Sequence, residues 1–341
     1  MTMLLARKIA YWLLWPLLAI VLAPVSLAAE DPLPSWRDGP GKAAIVEFVA
    51  RVTRQDSAGY VEPHERIATF DNDGTLWSEQ PLYFQAYYAL DRIRDMAADH
   101  PEWKEREPYR SALAGDVKGL AAQGKGPVVE MLVAAHANVT TEAFTRSVAH
   151  WLATARHPRT GRLFTEMVYQ PMLELLEYLR ANDFKVFIVS GGGIDFIRVF
   201  SHERYGVPPE QVVGTTGGAR FELRDGIPVV VKTGDISLID DKAGKPVGIW
   251  RHIGRRPIFA AGNSDGDLQM LQYTTVARNE DDTTPRLGLI VHHTDGEREF
   301  EYDRESAVGR LDRALDMAPE QGWLVVDMKR DWRRVFPVAG S

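Results

Sequence analysis

Apolar residues recur along this chain with two spacings, and the alternation between them predicts the architecture. Ala44, Ile45, Phe48, Val49 and Val52 fall at helical spacing, so residues 42–54 are expected to form a helix packed on the main body. The Pro- and Gly-rich residues 31–41 ahead of it read as a linker or a loosely docked arm. Residues 66–69 form a short apolar and β-branched run that reads as a buried strand, and it runs into Phe70-Asp71-Asn72-Asp73-Gly74-Thr75-Leu76. From about residue 80 to 179 the pattern turns helical, with few strand signals. Tyr83, Phe84, Tyr87, Tyr88, Leu90 and Ile93 make one stripe, Val128, Val129, Met131 and Leu132 another, and Phe144, Val148, Trp151 and Leu152 a third. These stripes read as core. Residues 171–180 form a further amphipathic helix, stopped by Asn182.

Beyond it the strand signals return. Residues 184–189 are a buried strand running into Ser190-Gly191-Gly192-Gly193, and residues 194–205 read as the helix that follows. Residues 212–215 predict a short strand, and the runs 221–223 and 227–231 bracket Arg224-Asp225-Gly226 as a hairpin. A polar loop at 242–245 precedes a helix over 247–253, and a strand over 257–261 leads into Gly262-Asn263-Ser264-Asp265-Gly266-Asp267 and a helix through Met270 and Leu271. One more buried strand is expected at 287–291 and a late helix at 302–317. Strands alternating with helices predict an α/β fold: a Rossmann-like parallel sheet core with helices on both faces and an inserted, mainly helical cap. The expected boundaries are a signal peptide at 1–28, a core made of 29–78 and 182–341, and a cap at 79–181.

Composition changes this picture at the N-terminus. Of the 341 residues, Arg7 and Lys8 precede an apolar run over 9–25, and small residues at 26–29 stand before Glu30 and Asp31. This is the pattern of a secretory signal peptide cut after Ala28, and with Pro16 and Pro24 inside it the run is short for a membrane span. Cleavage would remove two basic residues and no acid, taking the net charge from −7 to −9. An acidic protein of this kind is a poor partner for nucleic acid or anionic membrane. The absence of cysteine excludes disulfides, thiol nucleophiles and thiolate metal sites, and together with an export signal it fits a bacterial periplasmic or secreted location.

The chemistry is expected where three strands end: at Asp71, at Ser190 and at Asn263. In open parallel sheets the ligand crevice lies beyond the carboxyl ends of the strands, so these loops can converge. Residues two apart in extended backbone face the same way, which puts Asp71 and Asp73 on one site. Two such carboxylates repel unless a cation sits between them, and Mg²⁺ suits oxygen ligands. Ser190 and the amides of Gly191 and Gly192 precede a helix, where anions are attracted. Lys245, with Lys242 as the alternative, stands where it could neutralise a phosphoryl oxygen.

The order of these motifs resembles the haloacid dehalogenase superfamily of phosphohydrolases, and the helical insertion after the first motif resembles its phosphoserine phosphatase-like branch. The resemblance implies an Mg²⁺-dependent phosphatase acting on small phosphomonoesters. Asp71 would be the nucleophile, Asp73 the general acid and base, and Ser190, Gly191 and Lys245 the phosphate-binding groups. The metal would be held by Asp71, Asp73, Asn263 and Asp267. The family's fourth motif commonly begins Gly-Asp, whereas here it is Gly262-Asn263. Glu79 and Gln80, just past the nucleophile loop, are expected to touch substrate, in the placement of the acidic residue that phosphoserine phosphatases use.

Two other readings compete. Gly262-Asn263-Ser264-Asp265-Gly266 matches the Gly-x-Ser-x-Gly elbow of serine hydrolases, with Asp281 or Asp282 and His292 or His293 following in the expected order. A phosphate-compound binder that lost catalysis with its fourth-motif acid is the second.

Overall fold

The protein is described here by a computed structural model that covers residues 31–123 and 125–338. The expected signal peptide lies outside the described residues. In chain order the elements are α1 (Pro40–Thr53), β1 (Ile67–Phe70), α2 (Phe84–Met96), α3 (Tyr109–Ala114), α4 (Val117–Ala122), α5 (Lys125–His136), α6 (Thr141–Thr154) and α7 (Gln170–Ala181). They continue with β2 (Lys185–Gly193), α8 (Ile194–Arg198), α9 (Ser201–Tyr205), β3 (Val212–Arg224), β4 (Ile227–Leu238) and α10 (Gly244–His252). The last are β5 (Phe259–Gly262), α11 (Leu268–Thr275), β6 (Leu287–Thr294), β7 (Glu301–Tyr302), α12 (Arg313–Gln321), β8 (Leu324–Asp327) and α13 (Met328–Asp331).

Six strands pair in parallel, in the order β3-β2-β1-β5-β6-β8, while β4 and β7 pair antiparallel to β3 and β6. The chain moves outward from β1 to β3 on one side and from β5 to β8 on the other. The order therefore reverses at the β1/β5 junction, and a crevice opens at the carboxyl ends of those strands. Alternate residues of each strand serve the two faces. Phe70, Ile188, Phe259 and Val291 pack with Phe48 of α1 and Leu175 and Leu176 of α7, whereas Val189, Val213, Ala260 and Ile290 pack with Ile249 of α10, Met270 and Leu271 of α11 and Ala314 of α12. Helices thus cover both faces, and β1 is buried at all four positions as a central parallel strand should be.

Helices α2 to α5 carry a separate cluster around Leu90, Ile93, Trp103, Tyr109 and Met131. The β3-β4 hairpin is much longer than the expected segments. Asp225 and Gly226 at its tip have φ of 52° and 79°, the left-handed pair that a two-residue hairpin turn requires. Its second strand reaches the helical insertion, where Lys232 N donates to Val139 O and Asn138 N to Lys232 O, both at 2.9 Å. Helix α7, placed by the sequence within the 79–181 stretch, rides on the sheet instead.

Several local expectations are corrected. The arm at 31–41 is docked, not loose: Leu33 and Trp36 are fully buried, Trp36 Nε1 donates to Pro171 O at 2.9 Å, and Arg37 N and Arg333 N tie the arm to the C-terminal segment. The helix expected over 194–205 is broken into α8 and α9. The late helix is shifted: Tyr302 belongs to β7, Asp303 to Asp312 form a turn containing Gly309 at φ 66°, and α12 begins at Arg313. Strand β8 was not anticipated.

Trp36 fills the space between α7 and Trp332, whose ring it meets edge-on at 6.0 Å. Trp36→Ala is expected to cost about 3–5 kcal/mol of stability, read as a lower denaturant midpoint in urea. An unchanged midpoint would return the arm to the status of a linker.

Candidate active site

β1 delivers Asp71 to the crevice, and Asp71 N donates to Ala261 O at 2.9 Å, pinning the loop to β5. The loop closes tightly because Asn72 O accepts from Thr75 N at 3.2 Å and Leu76 N at 2.8 Å, while Gly74 adopts φ 75°. Only glycine fits at position 74: a side chain there would run into Asn263 Nδ2 and Glu79 Oε1. Asp71 and Asp73 line one cavity. Asn72 turns the other way, its Oδ1 accepting from Tyr205 OH at 3.1 Å. Trp77 Nε1 donates to Asp73 Oδ1 at 2.8 Å and fixes that oxygen.

Lys245, in the first turn of α10, enters the crevice from the β2 side. Its ammonium donates to Asp71 Oδ1 at 2.6 Å, Asp267 Oδ1 at 2.7 Å and Val189 O at 2.7 Å, so all three of its N–H bonds are engaged. Lys242, the other candidate, is exposed.

Ser190 is fully buried at the end of β2, where the ladder to β3 is irregular, and its Oγ accepts from Gly192 N at 3.0 Å. Gly191 lines the cavity beside it. The next amide, Gly193 N, donates to Gln85 Oε1 at 2.8 Å. A Cβ on Gly193 would sit 2.6 Å from Gln85 Nε2, so the glycine makes room for a side chain arriving from α2. Sequence reading missed Gln85. The available signal was a polar residue three positions before Tyr88, on the buried face of α2.

The remaining candidates separate. Glu79 is buried on the cavity wall, its Oε1 accepting from Asn263 Nδ2 at 2.6 Å and Tyr302 OH at 2.8 Å. Gln80 turns away from the cavity: its Nε2 donates to Val308 O at 2.8 Å and Ser306 Oγ at 3.0 Å, and its carbonyl meets His157 Nε2 at 2.9 Å. It braces the loop at 306–308. Asp267 is likewise committed inward. Its Oδ1 takes Lys245 and its Oδ2 accepts from Asn263 N at 3.0 Å and Ser264 N at 3.1 Å, so on the cavity wall it braces both Lys245 and the 263–264 turn. Asn263 Oδ1 accepts from Thr75 Oγ1 at 3.2 Å.

Burial pushes Asp71 well above the ordinary carboxylate range; Asp267 and Asp73 add to the push, and Lys245 opposes it. Burial also raises Asp73, against the pull of the Trp77 hydrogen bond and Lys245, and raises Glu79 further. Burial alone would lower the Lys245 ammonium, but Asp267 and Asp71 outweigh it and hold its pKa above the ordinary value. The crevice thus gathers Asp71, Asp73, Glu79 and Asp267 around the single Lys245 ammonium, and burial favours the neutral forms of the first three. Among the described residues no three acidic or histidine side chains gather as a metal cage. A pair of carboxylates is nonetheless what Mg²⁺ uses when substrate oxygens and water complete its shell, so Asp71 and Asp73 fit that ion.

The serine-hydrolase reading fails on geometry. Ser264 Oγ accepts from Gly266 N at 3.1 Å and donates to Asp267 Oδ2 at 3.3 Å. His293 lies against Gly74 O and Glu299, His292 against Asp303, and Asp282 against Arg286. No histidine is hydrogen-bonded to Ser264 among the described residues.

The sequence profile of the haloacid dehalogenase-like hydrolases matches residues 68–272. No curated protein matches the chain. Among solved structures, the chain is similar to a conserved, functionally unknown protein from Anaerococcus prevotii DSM 20548, with 15% identity over 84% of this chain and 91% of that one and a TM-score of 0.52. A protein of unknown function from Bordetella pertussis Tohama I shares 15% identity over 77% of this chain and 99% of its own, with a TM-score of 0.47. A phosphoserine phosphohydrolase-like protein from Francisella tularensis shares 13% over 75% and 98%, with a TM-score of 0.37. At such identities the first likeness speaks for the fold alone.

Asp240, beside Lys245, is fully buried, and neither carboxylate oxygen has a hydrogen-bond partner among the described residues. Burial pushes its pKa up to about 7, with Asp241 adding and Lys245 opposing. A folded-state value above the unfolded one means that the fold holds the proton more tightly. The associated stability is complete below about pH 4 and is lost as pH rises through about 7. Asp240→Asn is expected to be more stable than its parent at pH 8.5, by at most about 4 kcal/mol, with the gap closing toward pH 4. Denaturant midpoints at several pH values check this, and a pH-independent gap would count against it.

Proposed function

This chain belongs to the haloacid dehalogenase-like hydrolases, and from that premise we propose that it is an exported, Mg²⁺-dependent phosphatase that releases phosphate from small monoesters through a phosphorylated Asp71. The observation that carries the reading is the placement of Asp71 and Asp73 on one cavity wall, with the Lys245 ammonium 2.6 Å from Asp71 and the Ser190 turn alongside.

In this reading Asp71 attacks phosphorus, forming one O–P bond as the ester O–P bond breaks. Asp73 gives its proton to the departing oxygen. Burial favours its protonated form, and the Trp77 contact at Oδ1 leaves Oδ2 to carry the proton. In the second half Asp73 takes a proton from the water that attacks phosphorus and frees Asp71. The charge of Lys245 favours the ionised form of Asp71 against burial, and its three engaged N–H bonds argue against a direct grip on phosphate. Ser190 Oγ and the amide of Gly191 offer hydrogen bonds to the phosphoryl oxygens. When bound by Asp71 and Asp73, Mg²⁺ supplies the positive charge that the crevice lacks and offsets that of the transferring group. Helices α2 to α6 and the β3-β4 hairpin act as the roof that excludes water, with Gln85 joining the roof to the Gly193 amide. The apolar N-terminal stretch supports export to the periplasm or beyond.

Phosphate release from p-nitrophenyl phosphate is expected to require Mg²⁺ and to stop with chelator. Asp71→Asn should lower kcat by at least about 10³-fold, whereas Ser264→Ala should stay within about tenfold of the parent. Rapid quenching during turnover should leave phosphate on Asp71 by mass spectrometry. Full activity in Asp71→Asn would end the proposal.

A further inference from the structure

The cavity continues upward from Asp71 and Asp73 between α2, α5, α6, α8 and β4, and its volume of about 270 Å³ suits a small molecule. Above the floor an apolar stretch of wall is formed by Leu82, Leu132, Val133, Phe144, Phe196 and Ile236. The leaving group of a substrate seated on Asp71 must occupy this chamber.

Its charges are unbalanced in one direction. Among the described residues two lysines line the cavity, Lys245 at the floor and Lys232 in the wall. Lys245 is engaged by Asp71 and Asp267. Lys232 is 7% exposed, bonded to the Asp195 carboxylate and set 4.9 Å from the Phe144 ring. His136, also in the wall, adds no charge: burial takes its pKa down to about 3, with Lys232 adding to the effect. Asp195, Asp235, Asp241 and Glu79 line the same space. A leaving group with a carboxylate or second phosphate would meet Asp195, Asp235 and Asp241 with no uncommitted cation among the described residues, and would lose its hydration in the process.

Resting on the phosphatase reading, we propose that the chamber selects phosphomonoesters of apolar-bodied alcohols that carry no second anion, and rejects phosphorylated hydroxy acids, amino acids with a free carboxylate, and bisphosphates. Lys232 and Asp195 set this preference by holding one another.

Phenyl phosphate and 4-carboxyphenyl phosphate differ only in the distal charge and form the test pair, with phosphoserine as a third ester. With the full chain and Mg²⁺, kcat/KM for phenyl phosphate is expected to exceed that for each carboxylated ester by at least about tenfold, the difference residing mainly in KM. Asp195→Asn leaves Lys232 without its carboxylate, and the ratio of 4-carboxyphenyl to phenyl phosphate should then rise at least about fivefold. Parent enzyme that takes the carboxylated esters as well as phenyl phosphate overturns the inference without touching the phosphatase reading, and needs no variant to fold. Failure to release phosphate from any ester, phenyl phosphate included, sinks both.

Discussion

A single ammonium group joins most of what matters in this molecule. Lys245 Nζ draws together the end of β1 through Asp71, the end of β2 through Val189 O and the start of α11 through Asp267. A lysine with 2% of its side chain exposed has lost its hydration, and in many proteins the loss is not recovered by ion pairing. Here the geometry is complete, with three acceptors for three N–H bonds, and removing either carboxylate would leave a buried charge poorly matched. The contact thus fixes position more than it adds stability. It sets the nucleophile candidate against β2 and opposes, without cancelling, the rise in the Asp71 pKa that burial causes.

The sheet explains why this convergence is possible. Strands β1, β2 and β5 are neighbours in space, although their ends lie at residues 70, 193 and 262. Parallel pairing lines up their carboxyl ends, and reversal of strand order beside β1 keeps the adjoining helices from covering them. The wall above Asp71 is assembled on another principle. It draws on two distant stretches, the helices before β2 and the β3-β4 hairpin, joined by backbone bonds at Lys232, while the Lys232 contact with Asp195 ties the hairpin to α8. The cavity is consequently bounded by elements that are not consecutive in the chain.

This division also sets what could be read from residues alone. Buried parallel strands announce themselves as apolar runs, so β1, β2, β5 and β6 were legible, and the functional loops were legible because they follow such runs. What escaped was set by packing between distant segments. The arm at 31–41 has the Pro and Gly of a linker, yet Trp36 is held by Pro171 and Trp332. Residues 216–224 continue β3 because they pair with β4, although their own pattern is weak. Tyr302 looked helical and became a strand because His293 offered it a partner. In the site, Asp71, Asp73, Ser190 and Lys245 carried signals of type and spacing. Gln85 and Lys232 did not, since each matters through a residue more than thirty positions away.

The same reasoning accounts for the chain's departure at residue 263. Glu79 Oε1 and Asn263 Nδ2 are 2.6 Å apart, pressed over Gly74, with Tyr302 OH on the same oxygen. An aspartate at 263 would put a second acceptor where Glu79 needs a donor, beside Asp71 and Asp73, which already strain the local charge balance. The amide resolves this conflict: its N–H₂ satisfies Glu79 and its carbonyl takes Thr75. The asparagine is thus the residue compatible with a buried glutamate at 79, and the two positions are best understood as one unit. The acid that the loop lacks at 263 stands one side chain further back, held by hydrogen bonds instead of facing its neighbours as a bare charge.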